Sequence, residues 1–182
     1  MSATSYAERQ GAVTFRGKPV TLIGKEPAVG STAPDFTLYT NDLAPVTLDD
    51  TIAGGTRAAL LIVVPSIDTS VCALETARFN RHMADLPTDK IAGFTISLDL
   101  PFAQKRFRSN EKVASLELLS AYRDPDFGPS YGVLIKELGL LARSVFLIDK
   151  DRTVRMATVV PEVAQEPDYD EILLSSRRTI GV

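Results

Sequence analysis

The one cysteine of this chain, Cys72, stands where the sequence passes from an apolar run into a segment that favours a helix. The apolar run covers residues 58–64 and ends at Pro65, and Thr69 lies three residues before Cys72. Free amide N–H groups and the positive end of the helix dipole favour the thiolate form of a cysteine in the first turn of a helix. A thiolate is a nucleophile, so this spacing indicates a reactive cysteine.

Thr69, Pro65 and Cys72 each also have a purely structural interpretation. The Thr69 hydroxyl can donate a hydrogen bond to the sulfur or to a bound oxygen, and it is equally suited to cap the helix. Pro65 can turn the chain and shield a thiolate from water, or it can simply end the strand. Free cysteines are often buried and inert. Activated cysteines also serve proteases, dehydrogenases and redox sensors, so the spacing alone leaves the reaction open.

The segments around Cys72 alternate between strand and helix patterns. Residues 58–64 are typical of a strand buried on both faces, and residues 70–83 carry apolar side chains at helical spacing. Further segments with such patterns are a strand at 91–97, a helix at 102–108, a strand at 144–148 with a hairpin partner at 154–160, and a closing helix at 168–178. Residues 125–130, rich in proline and glycine, indicate an exposed loop.

This order predicts an α/β fold with a mixed central sheet flanked by helices. Two short β-prone runs, residues 13–15 and 20–22, are joined by a turn-like link and predict an N-terminal β-hairpin. A thioredoxin-like architecture fits this arrangement. Neither a repeat nor a long linker divides residues 1–182, so we expect one domain.

Composition excludes several classes of function. A formal net charge of −3, with both signs interspersed, offers nucleic acid no basic face. No apolar run approaches the roughly 20 residues that a membrane-spanning helix needs. The first residues lack the apolar core of a secretory signal and the lone cysteine forms no internal disulfide, so we expect a cytoplasmic protein. One histidine, His82, and one cysteine make no metal site, and the glycines follow no phosphate-loop spacing, so no cofactor is indicated.

Several segments resemble the peroxiredoxins. Residues 65–72 (PSIDTSVC) are similar to the proline, threonine and cysteine signature of that family. Residues 99–107 (DLPFAQKRF), 141–143 (LAR) and 166–169 (EPDY) resemble its bacterial thiol peroxidase subfamily. The similarity runs from about residue 11 to residue 169.

The resemblance implies a thioredoxin fold, a homodimer, and reduction of hydrogen peroxide or organic hydroperoxides by thiols such as thioredoxin. By the same resemblance Cys72 is the peroxidatic cysteine, Thr69 the hydroxyl that orients the peroxide, and Pro65 the shielding proline. Arg143 corresponds to the guanidinium that supports the thiolate and the transition state. A fixed positive charge with forked donors suits that role, whereas a surface arginine paired with a carboxylate is the structural alternative.

The chain departs from the subfamily at Arg108. A second, resolving cysteine usually follows the Arg-Phe pair, here Arg106 and Phe107, and this chain has Arg108 instead. An oxidised Cys72 then has no partner in its own chain, so an external thiol must reduce the sulfenic acid. For Arg108 we expect a place on a solvated helix face, the alternative being added charge near the active site.

Two other functions compete with a peroxidase. A thiol–disulfide oxidoreductase normally uses Cys-x-x-Cys, and position 69 is threonine, which argues against exchange chemistry. A peroxide sensor or redox-regulated interaction protein needs only a single oxidation of Cys72. Four phenylalanines provide either an apolar site for alkyl hydroperoxides or simply core packing: Phe36, Phe79, Phe102 and Phe107.

Overall fold

The computed structural model describes residues 6–182. The strands are β1 (Glu8–Phe15), β2 (Lys18–Ile23), β3 (Thr37–Tyr39), β4 (Pro45–Thr47), β5 (Ala58–Val63), β6 (Ile91–Ser97), β7 (Leu116–Ser120), β8 (Leu134–Ile135), β9 (Leu140–Leu141), β10 (Ser144–Ile148) and β11 (Val154–Val159). The helices are α1 (Leu48–Thr51), α2 (Ser70–Ala84), α3 (Pro101–Asn110), α4 (Phe127–Ser130) and α5 (Tyr169–Ile180).

A mixed seven-stranded sheet forms the centre of the molecule, in the order β11-β10-β5-β6-β7-β3-β4. Strands β5, β6 and β7 are parallel, while β10, β11, β3 and β4 run antiparallel to their neighbours. All six residues of β5 are buried, as expected of a strand covered on both faces. The mixed sheet flanked by helices that the sequence predicts is therefore confirmed.

Two apolar cores lie on opposite faces of this sheet. One core contains the inward faces of α2 and α5, with Cys72, Phe79, Met83 and Ile172 among its members. The other contains α1, α4 and the small sheet β1-β2-β8-β9. The cysteine thus lies on the face that α2 and α5 cover.

The N-terminal hairpin is confirmed as the antiparallel pair β1–β2. It does not stand alone, because β2 also pairs with β8 and β8 with β9. Thr14 of β1 also forms two hydrogen bonds with the backbone that follows β11. Its amide donates to the Pro161 carbonyl at 2.8 Å, and its carbonyl accepts from the Val163 amide at 2.8 Å. Within residues 6–182, no helix is long and apolar enough to cross a membrane.

Two local expectations are incomplete or wrong. Strand β7 was not predicted, because leucine and glutamate, which make up most of it, are better helix formers than strand formers. Pairing with β6 in a buried sheet overrides that preference. Residues 125–130 are not simply an exposed loop, since they contain α4, in which Phe127, Gly128 and Pro129 are buried.

Candidate active site

Cys72 is the third residue of α2, the helix that follows β5 after a short loop. Its side chain faces the core beneath α2 and has no exposed surface. Helix α2 begins here because the apolar strand ends at the loop and Thr69 caps the first turn. The structure therefore places the thiol in the first turn of α2, as the sequence predicts.

Thr69 is the N-cap of α2, with an extended backbone at φ −113°. Its Oγ1 accepts a hydrogen bond from the Cys72 amide at 3.3 Å and donates one to the Ser66 carbonyl at 3.3 Å. Thr69 is an exposed residue, whereas Pro65 at the other end of the loop is buried. Pro65 and Thr69 thus bound the loop that leads to Cys72.

Arg143 lies beside Cys72 although 71 positions separate them in the chain. Its Nη2 donates to Cys72 Sγ at 3.2 Å and its Nε donates to the Val163 carbonyl at 3.0 Å. The register of the sheet explains this proximity, because Ser144 of β10 pairs with Val63 at the end of β5. Arg143 is only 1% exposed, so the alternative of a surface arginine is wrong.

Glu75 completes the buried cluster and was not found in the sequence. It lies on the inward face of α2, one turn after Cys72, and Arg143 Nη1 donates to its Oε2. Burial raises the pKa of Glu75 to about 7, although the charge of Arg143 acts in the opposite direction. The available signal was the i, i+3 spacing from Cys72, but a glutamate in a helix is usually exposed.

Burial alone would lower the pKa of Arg143, yet the neighbouring Glu75 and Cys72 raise it. The guanidinium therefore stays charged between two acidic groups. Its three donating nitrogens each have a different acceptor, namely a carboxylate, a carbonyl and the sulfur. This arrangement fixes the orientation of one N–H toward Cys72 Sγ.

A cleft of about 310 Å³ lies between the start of α2 and helix α3. Thr69 and Ala73 line one side, and Ala103 and Phe107 line the other. Through Thr69 the cleft adjoins the amide of Cys72.

The four phenylalanines do not form a common apolar site. Phe107 lines the cleft, Phe102 is 65% exposed, and Phe36 and Phe79 lie in the two separate cores.

Comparison with known proteins identifies the family of this chain. A family model described as Redoxin matches residues 28–173, a range that contains Pro65, Thr69, Cys72 and Arg143. The chain belongs to the Redoxin family. This redoxin is similar to the thiol peroxidase of Halalkalibacterium halodurans, with 44% identity over 169 residues that cover 93% of the chain and 99% of that relative. It is also 44% identical over 168 residues to the thiol peroxidase of Bacillus subtilis, covering 92% of the chain and 98% of the relative.

Solved structures show the same architecture. A peroxiredoxin-like protein from Aquifex aeolicus superposes on this redoxin with a TM-score of 0.85 and 38% identity, over 97% of this chain and all of that one. The thiol peroxidase from Chromobacterium violaceum shares the fold at a TM-score of 0.77 and 24% identity, covering 88% of this chain and 91% of that one. The thioredoxin-like fold and the resemblance to thiol peroxidases are therefore confirmed.

Arg108, at the usual place of a resolving cysteine, is not on a fully solvated helix face. It is half-buried near the end of α3 in this redoxin, and its Nε donates to the Val113 carbonyl at 3.2 Å. It lines a groove with Met83, Gly93 and Leu116 rather than the cleft at Thr69. Arg108 thus helps to close the turn between α3 and β7, and it does not line the cleft at Thr69.

Proposed function

We propose that this redoxin is a thiol-dependent peroxidase that reduces hydrogen peroxide and organic hydroperoxides at Cys72. The observation that carries the proposal is the contact of Arg143 Nη2 with Cys72 Sγ at 3.2 Å, with both side chains buried. A permanent positive charge beside the sulfur stabilises the thiolate and can serve an oxygen that gains charge. Membership of the Redoxin family and the similarity to thiol peroxidases support the same activity.

In the first step the Cys72 thiolate attacks one oxygen of the hydroperoxide. The S–O bond forms as the O–O bond breaks, so sulfur is oxidised to sulfenic acid and the peroxide is reduced. The departing oxygen takes up a proton and leaves as water or an alcohol. We assign Arg143 to stabilising the charge that develops on the oxygens and Thr69 to orienting the peroxide through its hydroxyl. We assign Pro65 to excluding water behind the loop.

Regeneration requires a thiol from outside the chain, because Cys72 is the only cysteine. A first thiol condenses with the sulfenic acid, releasing water and forming a mixed disulfide. A second thiol then attacks that disulfide and frees Cys72 as the thiolate. Thioredoxin or a small thiol can serve as this reductant.

The oligomeric state is inferred from the family resemblance, and the cellular compartment is inferred from the single cysteine. We propose that the protein forms a homodimer, as the peroxiredoxin resemblance implies. We also propose a cytoplasmic setting, where a thiol pool keeps a lone cysteine reduced between turnovers. Gel filtration with light scattering tests the dimer directly.

The activity is tested by following the consumption of hydrogen peroxide and cumene hydroperoxide with dithiothreitol, or with thioredoxin and its reductase. Catalytic turnover by the wild type, and its loss in Cys72→Ser, is the expected result. Circular dichroism of Cys72→Ser verifies that the variant is folded. Absence of turnover with every reductant would contradict the proposal.

A peroxide sensor is the second candidate, favoured by the absence of a second cysteine, which prolongs the oxidised state. A sensor would oxidise Cys72 once per molecule without sustained peroxide consumption. Trapping of the sulfenic acid with dimedone under excess thiol separates the two, because a peroxidase returns to the thiol under those conditions.

A further inference from the structure

The loop between β5 and α2 carries both Pro65 and Thr69, and one carboxylate holds its middle. Asp99 Oδ1 accepts a hydrogen bond from the Ser66 hydroxyl at 2.8 Å, and Asp99 Oδ2 accepts one from the Ile67 amide at 2.8 Å. Both carboxylate oxygens are thus engaged by the same loop. We infer that Asp99 is a positioning residue, which sets the place of the catalytic loop without contacting the reacting atoms.

Asp99 is well suited to this role because its own backbone is fixed. Its amide donates to Ser97 Oγ at 3.3 Å, and its carbonyl accepts from Ser120 Oγ at 2.5 Å. Gln104 of α3 donates to the same Ser97 hydroxyl at 3.0 Å and to the Leu119 carbonyl at 3.0 Å. Ser97, Gln104 and Ser120 are fully buried. Asp99 therefore holds the loop in a fixed position relative to the central strands β6 and β7.

The loop in turn fixes the position of the Thr69 hydroxyl, which caps the helix that carries Cys72. The Ser66 carbonyl accepts from Thr69 Oγ1 at 3.3 Å, and Thr69 Oγ1 accepts from the Cys72 amide at 3.3 Å. A continuous series of hydrogen bonds thus runs from Asp99 through Ser66 and Thr69 to Cys72. Asp99 also lines the cleft beside Thr69. Loss of the carboxylate should displace the Thr69 hydroxyl while Cys72, held in α2 and by Arg143, stays in place.

The inference rests on the proposed peroxidase activity, because Thr69 matters only where a peroxide has to be oriented. A misplacement of about 1 Å in a reacting group can cost on the order of a hundredfold in rate. Alkylation of Cys72 by iodoacetamide needs the thiolate but no oriented peroxide. The two reactions at one sulfur therefore separate positioning from a general loosening of the fold.

The test compares four variants by rapid quench and intact-mass detection of oxidised Cys72 and of alkylated Cys72. We expect Asp99→Ala to slow the reaction with hydrogen peroxide about tenfold to a hundredfold and to change alkylation less than about threefold. Asp99→Asn should fall between it and the wild type, because its amide oxygen still accepts one hydrogen bond. Ser66→Ala should have a smaller effect, and Ser66→Ala combined with Asp99→Ala should be no slower than Asp99→Ala alone.

Asp124→Ala is the matched control, since Asp124 also holds a loop by accepting from backbone amides, at Thr37 and Phe127. It should leave both reactions at the wild-type rate. A wild-type peroxide rate in Asp99→Ala, or an equal fall of peroxide reaction and alkylation, would overturn the inference. If the wild type itself does not react with peroxide, the proposed function fails instead, which the same experiment shows independently of Asp99.

Discussion

At the scale of single residues, Arg143 is held between two acidic groups, Cys72 and Glu75, in a site without exposed surface. Breaking a buried ion pair by removing one partner is costly, because the other charge is left without compensation. Glu75 therefore orients Arg143, and Arg143 in turn stabilises the charged form of Glu75. Stability and catalysis respond differently when these two residues are changed.

We predict that Arg143→Ala lowers the free energy of unfolding by about 3–5 kcal/mol above neutral pH. Burial raises the pKa of Glu75 to about 7, above its usual 4.5, so the folded protein holds this proton more tightly than the unfolded chain. Stability is then higher below the unfolded pKa and falls as pH rises through the folded value. Because the charge of Arg143 lowers the pKa of Glu75, removing Arg143 raises that pKa further and makes the ionised, buried carboxylate less stable than in the wild type. The loss should therefore be larger at about pH 8 than at about pH 5, as measured by urea denaturation.

The second variant, Glu75→Gln with Arg143→Ala, removes the uncompensated carboxylate. It should recover much of the lost stability, yet the peroxide reaction should stay about a hundredfold or more below the wild type. Recovery of the peroxide rate along with stability would mean that Arg143 does not act on the reacting atoms.

At the scale of elements, the N-terminal hairpin is linked to the active site through residues 161–163. Glu162 accepts from the Thr14 hydroxyl at 2.8 Å and from the amides of Arg16 and Gly17 at 3.0 and 2.9 Å. The next residue, Val163, provides the carbonyl that holds Arg143 Nε. The hairpin thus supports the segment after β11 whose Val163 carbonyl orients the guanidinium.

Glu162→Gln should loosen the hairpin turn, since an amide oxygen cannot replace both carboxylate oxygens. Hydrogen exchange at the amides of Arg16 and Gly17 should become faster. The rate of the peroxide reaction should fall by about twofold to fivefold, which is much less than the loss expected when an oxyanion donor is removed. Glu111→Gln, at an exposed position in α3's C-cap, is the control and should leave hairpin exchange unchanged. Unchanged exchange in Glu162→Gln would contradict the link.

The same contact predicts a dependence on acid. The hydrogen bonds from the Gly17 and Ala164 amides lower the pKa of Glu162 to about 2, below its usual 4.5. The stabilisation is present above the unfolded pKa and is lost as pH falls toward the folded one. Hairpin exchange in the wild type should therefore approach that of Glu162→Gln on acidification through this range, after correction for intrinsic exchange.

At the scale of the whole molecule, the chemistry is limited by one cysteine in 182 residues. Arg108 occupies the place of a resolving thiol and is engaged in closing the turn after α3. Each oxidation of Cys72 must therefore wait for a thiol that diffuses in or docks. Peroxide competes with that thiol for the sulfenic acid.

We predict that turnover at high peroxide and low thiol is followed by inactivation, with Cys72 gaining the mass of two oxygen atoms as sulfinic acid. Raising the thiol concentration should slow inactivation in proportion, since the two reactions compete for one intermediate. Intact mass spectrometry during turnover measures both. Full recovery of activity by dithiothreitol after prolonged excess peroxide would show that the sulfenic acid is protected in some other way.

Local patterns in the sequence were sufficient to predict that Cys72 lies in the first turn of a helix after a buried strand. Each signal lies within a few residues: the apolar run of β5, the cap at Thr69 and the helical spacing of α2. Such signals can be recognised from the pattern of apolar and capping residues alone. Family resemblance added Arg143, and the structure brings it to Cys72. Strand β7 escaped prediction, because its local preference is helical and only pairing with β6 makes it a strand.

The tertiary structure alone decided which distant residues meet at the thiol. Arg143 reaches Cys72 because β10 pairs with β5 in one register, and a shift of a single residue would turn its side chain to the opposite face. The sequence assigned no role to Asp99 or Glu75, since their importance comes from partners 33 and 68 positions away. A register results from packing summed over a whole sheet, so no short stretch of sequence contains it.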